Sequence, residues 1–217
     1  YLLGIALPPG SPKFRRRKAE RPDEIVAAAL EIFAEKGFAA ARLDDIAARA
    51  QVSKGAIYLY FATKEDIFRA VVEQAVLPNV GMLRTLLASH PGPFDDLVRR
   101  FSALAPQLAA RPEMGGVIKM IIGEARNFPE LARVWHDQVV DPALSGLTTA
   151  VEAAQARGEV RPGDARLYAL GLVAPLLVSV LWRETFTPVG AEPFDLDALA
   201  RQHFATAMRG MLEPAPG

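Results

Sequence analysis

Apolar residues recur along this chain at spacings of three and four, and no stretch alternates with the period of two that a half-buried strand requires. Ile25, Ala28, Ala29, Ile32 and Phe33 form one apolar stripe of a helix expected over 22–36. Pro22 suits its first position, Asp23 and Glu24 complement its positive end, and Gly37 stops it. A second helix, 43–50, turns Leu43, Ile46, Ala47 and Ala50 inward. Ser53 caps a short third helix, 54–61. Thr63 caps a fourth, with Glu65 and Asp66 in its first turn. This helix runs on through Ala75. Pro78 then lacks a backbone donor and clashes with the carbonyl of Gln74, which predicts a kink or break between Leu77 and Gly81. Further helices are expected at 94–110, 113–126, 129–157, 164–186 and 195–212, separated by proline- and glycine-bearing segments. The prediction is an all-α fold of about nine helices.

Three short helices joined by tight turns, with small residues at their crossings, read as a helix-turn-helix unit. Leu43-Asp-Asp-Ile-Ala-Ala-Arg-Ala50 is the supporting helix, Gln51-Val52-Ser53 the turn, and Lys54-Gly-Ala-Ile-Tyr-Leu-Tyr-Phe61 the recognition helix. Ala47 and Val52 allow two backbones to cross closely. Ile57 and Phe61 face the core. That leaves Lys54, Gly55, Ala56 and Tyr58 outward near the end that meets base edges in this motif. Tyr60 and Lys64 are expected on phosphates, which position a protein on the duplex without specifying sequence.

Charge supports this reading only through its distribution. The net charge is zero, yet residues 1–70 hold 12 Lys/Arg against 9 Asp/Glu, and residues 71–217 hold 13 against 16. Lys13, Arg15, Arg16, Arg17 and Lys18 form a dense basic run, which suits a flexible arm over 1–20 that contacts a groove or phosphates, or a solvated tail. The run follows the apolar residues 1–12, the reverse of a signal peptide. No segment reads as a membrane span, because the longest uncharged stretch, 167–182, has 16 residues against the roughly 20 needed. The chain has no cysteine, which excludes disulfides and thiolate metal sites and suits a cytoplasmic location.

Four phrases carry a resemblance. Phe33-Ala-Glu-Lys-Gly-Phe-Ala39, Asp44-Asp-Ile-Ala47, Val52-Ser-Lys-Gly-Ala-Ile-Tyr58 and Tyr60-Phe-Ala-Thr-Lys-Glu-Asp-Ile-Phe68 resemble the N-terminal domain of TetR/AcrR-family regulators over about residues 21–70. Asn127-Phe-Pro-Glu-Leu131 is similar to a phrase of AcrR-like members. The resemblance implies a homodimeric repressor with a DNA-binding domain over 21–68 and a ligand-binding and dimerisation domain over 69–217. Where the family usually carries Gly in the turn, this chain has Gln51, so either Gln adopts a left-handed conformation or the turn differs. Ala41-Arg42 replaces the usual Ser/Thr before the second helix, which passes the expected phosphate contact to Arg42.

An apolar or amphipathic effector is expected, and the large apolar residues Phe101, Met114, Ile118, Ile121, Phe128, Trp135 and Trp182 are candidates to line its pocket, although each is first a core residue. Glu124, His136, Asp137 and Arg183 are candidate polar groups there, with surface or interface ions as the alternative. His90, His136 and His203 are too scattered for a metal site, and neither metal nor cofactor is expected. An enzyme is disfavoured by the absence of a nucleophile–base pattern or a phosphate-cradling loop. The remaining alternative is a helix-turn-helix activator or DNA-organising protein without a small ligand.

Overall fold

A computed structural model describes residues 13–88, 90 and 92–212, with the side chains of 13–21, 88, 112 and 113 excepted. The apolar run 1–12 that opens the chain therefore lies outside the described residues. The elements are α1 (Lys13–Ala40), α2 (Leu43–Arg49), α3 (Lys54–Tyr58), α4 (Lys64–Val71), α5 (Leu77–Ala88), α6 (Phe94–Ala109), α7 (Pro112–Glu124), α8 (Pro129–Trp135), α9 (Asp141–Ala156), α10 (Ala165–Thr185) and α11 (Leu196–Met211). Two π-helical turns, Val72–Val76 and His136–Val140, fuse α4 to α5 and α8 to α9, so these segments form nine helical rods among the described residues. The all-α expectation stands.

Three boundaries differ from expectation, one of them the end of α3, which stops at Tyr58 where the third helix was expected to reach Phe61. α1 begins at Lys13, so Pro22 lies inside the helix and the backbone of the basic run 13–18 is helical, while residues 1–12 of the expected arm lie outside the described residues. Its regular turns end where expected, at Gly37 (φ 75°, ψ 168°). The fourth helix has no break at Leu77–Gly81. Instead the Leu77 N–H reaches back five residues to the Val72 carbonyl, and the chain then passes Pro78 in helical register. The widened turn contains Gln74, the residue whose carbonyl the proline ring would strike, and so it removes the conflict one turn earlier. Pro142 repeats the device: it stands two residues beyond His136–Val140, where the Asp141 N–H bonds the His136 carbonyl.

The core does not divide where residue 68 would suggest. Ile25, Phe33, Phe38, Ile46, Ile57, Phe68, Val72 and Val76 pack into one cluster with Val117, Met120 and Ile121 of α7 and Leu131 and Val134 of α8. A second cluster joins α6, α9, α10 and α11 through Phe94, Phe101, Val151, Leu172 and Phe204. α7 and α8 therefore share their core with the helix-turn-helix head.

Residues Ala165–Val189 form a helical stretch long and apolar enough to cross a membrane, with mean hydropathy 1.7 and 33% of its most apolar window buried. The sequence reading counted only the uncharged residues 167–182, whereas the helix continues past Arg183. By length and composition alone this is weak evidence for a span.

Candidate nucleic-acid interface and body

The head is built by capping and by ion pairs. Ser53 Oγ accepts the Ala56 N–H at 3.2 Å and opens α3. Thr63 Oγ1 accepts the Asp66 N–H at 3.1 Å while Asp66 Oδ2 accepts the Thr63 N–H at 3.0 Å, a reciprocal capping box at the start of α4. Arg42 precedes α2 and has no side-chain acceptor to offer, but Asp45 Oδ2 accepts its N–H at 3.3 Å. α2 is tied to α1 by Arg49, which donates to Glu31 at 2.6 Å and Glu35 at 3.0 Å, and by the Lys36–Asp45 pair at 3.0 Å. Hydrogen bonding to Arg49 holds the Glu35 carboxyl below its ordinary pKa, and Lys36 does the same for Asp45.

Gln51 has φ 55° and is the single positive-φ residue other than glycine among those described, so of the two expected alternatives the left-handed one holds. It turns the chain so that α3 crosses α2, with Ile57 fully buried beneath.

Of the seven residues assigned to DNA, Arg42, Lys54, Gly55 and Tyr58 are exposed, and Tyr60 is half-buried against the core. Lys54 Nζ pairs with Asp44 at 3.0 Å, an exposed contact that costs little to exchange for a nucleic acid. Ala56 was expected outward and is instead 7% exposed, because it lies one position before Ile57 on the face that packs inward. Lys64 also differs. Its ammonium donates to the carbonyl oxygens of Phe38, Ala39 and Ala41, so its donors point at backbone where a phosphate was expected. Leu59, not singled out from sequence, is 75% exposed beside Tyr58 at 54%. An outward leucine following an outward tyrosine was the signal available.

The seven candidate pocket residues do not form one group. Ile118 lies in a small cluster with Ala109 and Val180, against which Met114, Trp135, Leu181 and Leu196 pack. Ile121 belongs to the head's core and Phe128 meets Phe38 with ring centroids 5.0 Å apart. Phe101 stacks edge-on to Phe204 at 5.4 Å, and Trp182 lies between Phe186 and Phe194. Among the described residues, four buried side-chain polar atoms have no partner: Asn79 Oδ1, Gln138 Oε1, Arg183 Nη2 and Thr187 Oγ1. Arg183 otherwise donates to the Ala109 carbonyl at 2.8 Å and to Glu184 at 2.9 Å. Among the described residues no three His, Asp or Glu side chains gather around a possible metal ion.

This geometry has counterparts of known sequence and structure. Residues 25–71 match the profile described as bacterial regulatory proteins, tetR family, and residues 93–201 match the tetracyclin repressor-like C-terminal domain. The chain is 36% identical over 114 residues to the HTH-type transcriptional repressor BepR of Brucella suis, a match covering 51% of this chain and 54% of that protein. It spans about half the length of the curated relatives it matches first. The fold resembles that of SmeT in its triclosan complex, with a TM-score of 0.73 and 21% identity over 90% of this chain and 93% of that one. It also resembles the transcriptional regulator FadR from Bacillus subtilis in complex with stearoyl-CoA, with a TM-score of 0.70 and 20% identity over 87% and 98%. At such identities the two structures speak to the fold alone. With one profile matched across the head and another across half the chain in the body, this protein belongs to the TetR family, whose members are transcriptional regulators and not enzymes.

Proposed function

We propose that the chain is a cytoplasmic, ligand-responsive repressor that binds a near-palindromic DNA operator as a homodimer and is released by a small apolar or amphipathic effector. The carrying observation is the outward surface of a capped helix-turn-helix, with Lys54, Gly55, Tyr58 and Leu59 exposed at α3 and Arg42 at the start of α2. One α3 of five residues reads too few base pairs for tight specificity, so two copies related by a two-fold axis are needed. The exposed face of α10 supports the pairing. Leu167, Leu170, Leu177 and Val178 lie on it at helical spacing, and burial against a second copy removes them from water.

For the effector, the support is the apolar character of the cluster around Ile118, against which Met114 and Trp135 pack, together with the unpaired buried acceptors Asn79 Oδ1 on α5 and Gln138 Oε1 in the π-helical turn His136–Val140. A mainly apolar compound carrying a hydrogen-bond donor fits that chemistry. Selection of bound fragments from the source genome by the purified protein, followed by titration of the complexes with lipophilic cations, planar aromatics and acyl compounds, tests the reading. Capture of no defined fragment would refute DNA recognition. Tight ligands that leave DNA affinity unchanged would refute induction and favour a regulator without a small effector.

A further inference from the structure

The end of α7 reaches into the head. Glu124, its last residue, turns its carboxylate toward the junction between α1 and α2, where Oε1 accepts the Ala39 N–H at 3.0 Å. The same oxygen lies 3.3 Å from where a Cβ on Gly37 would stand, at a backbone conformation (φ 75°) that already favours glycine. Lys64 holds the same junction through three of its carbonyl oxygens.

Glu124 is itself well fixed. Its carbonyl accepts the N–H groups of Asn127 and Phe128 at 2.9 and 2.8 Å, and this turn delivers Phe128 edge-on to Phe38, with centroids 5.0 Å apart and an interplanar angle of 71°. One short turn therefore supplies both a charge-assisted hydrogen bond and an aromatic contact to the segment that leads directly into α2. The covalent link between head and body runs instead through α4 and the π-helical turn Val72–Val76.

We infer that Glu124 is a positioning residue: its bond to Ala39, backed by Phe128 on Phe38, fixes the angle of the α2–α3 unit against the body from the α7 side, at the same junction that Lys64 holds from α4. Movement at the C-terminal end of α7 then reaches the recognition helix through this clasp. The inference rests on the reading of α2–α3 as the DNA-binding unit.

Hydrogen exchange on the full chain tests it. In E124A, amides of residues 37–42 and of α2–α3 should exchange about 5- to 30-fold faster, the range for losing one to two kcal/mol of local protection, while α10 and α11 stay unchanged. E124Q retains an acceptor oxygen and should lie closer to wild type. E124D keeps the charge but is one methylene too short; it should behave like E124A, and it carries the test should E124A fail to fold. Fragments captured by the wild-type protein should dissociate faster from E124A and E124D than from E124Q. Unchanged protection at 37–42 in both short variants, protection lost equally from α10 and α11, or altered protection with unaltered DNA dissociation would each overturn the inference. Should the wild type capture no DNA, the DNA-binding reading fails, and the exchange pattern alone still decides whether Glu124 holds the head.

Discussion

Lys64, the first residue of α4, donates to the carbonyl oxygen of Ala41 at 3.1 Å, two residues before α2 begins. With its bonds to Phe38 and Ala39, the ammonium satisfies carbonyls that the end of α1 leaves without intrahelical partners. Nζ also stands 4.4 Å over the Phe38 ring, and burial pushes the amine below its ordinary pKa. K64A should therefore lower stability by about 1–3 kcal/mol, the cost of leaving such groups unpaired, as read by urea denaturation. DNA affinity should fall with it, but the slope of log K against log salt should not change. A lysine held on a phosphate behaves differently: its loss reduces that slope by about 0.9 with the fold intact.

Gln51 occupies a left-handed conformation that costs an L-residue roughly 1–2 kcal/mol. Q51G should relieve part of this and raise unfolding free energy by about 0.5–1 kcal/mol, since glycine brings its own entropic cost. An unchanged or lower denaturation midpoint would mean that the glutamine side chain offsets its strain by contacts on the α1 side of the turn.

The helices themselves were legible because their stripes and caps are local: Ser53 and Thr63 cap where their types predict, and the ends of α6, α7, α10 and α11 fall within two residues of expectation. What sequence misplaced depends on tertiary neighbours. Pro78 was read as a break because its clash with Gln74 is local knowledge, whereas its absorption by a π-helical turn depends on how Val72 and Val76 are packed. The roles of Lys64 and Glu124 were hidden for the same reason, as their partners lie 23 to 26 and 85 residues away. Pocket residues scattered because a large apolar side chain looks alike whether it lines a cavity or fills a core.

At the recognition surface, K54A and Y58A should each weaken binding to captured DNA by about 1–3 kcal/mol if the side chain meets a base edge. L59A belongs beside them. Leu59 is too exposed to serve the core, and an apolar tip next to Tyr58 suits the methyl group of thymine. Its loss should relax preference at one thymine-bearing position and leave the salt slope unchanged. Gel-shift titration against single-base variants of the captured site checks this, and equal affinities across the set would exclude the contact.

Acid should loosen the head before neutral pH does anything. Glu35 and Asp45 have depressed pKa values in the folded protein, through Arg49 and Lys36 respectively. Their contribution is complete above the unfolded carboxylate range, near pH 4, and is lost as pH falls through the lower folded values. Stability should be flat in these groups from pH 6 to 8 and decline below about pH 4. A double variant, E35Q with D45N, should start less stable at pH 7 and lose less on acidification. An identical acid limb in wild type and variant would show that these two pairs carry no pH dependence.

The apolar face of α10 gives the last prediction. Leu167 and Val178 are 64% and 56% exposed, with Leu170 and Leu177 between them on one face, and Gly171 leaves open space for close approach. Fully burying such a side chain is worth about 1.5–3 kcal/mol, and a two-fold axis counts each residue twice, so four positions suffice to drive association. L177E places a carboxylate on that face in each protomer, where desolvation and mutual repulsion both oppose pairing. Wild type should be a dimer by light scattering at micromolar concentration, L177E a monomer, and E152A, an exposed substitution on α9, still a dimer. Because one recognition helix cannot hold an operator alone, L177E should also lose specific DNA binding while the full chain keeps its helical circular dichroism. A wild-type monomer would leave this apolar stripe without the cover assigned to it. Sedimentation with anionic and neutral vesicles would then decide whether lipid takes the place of the second copy.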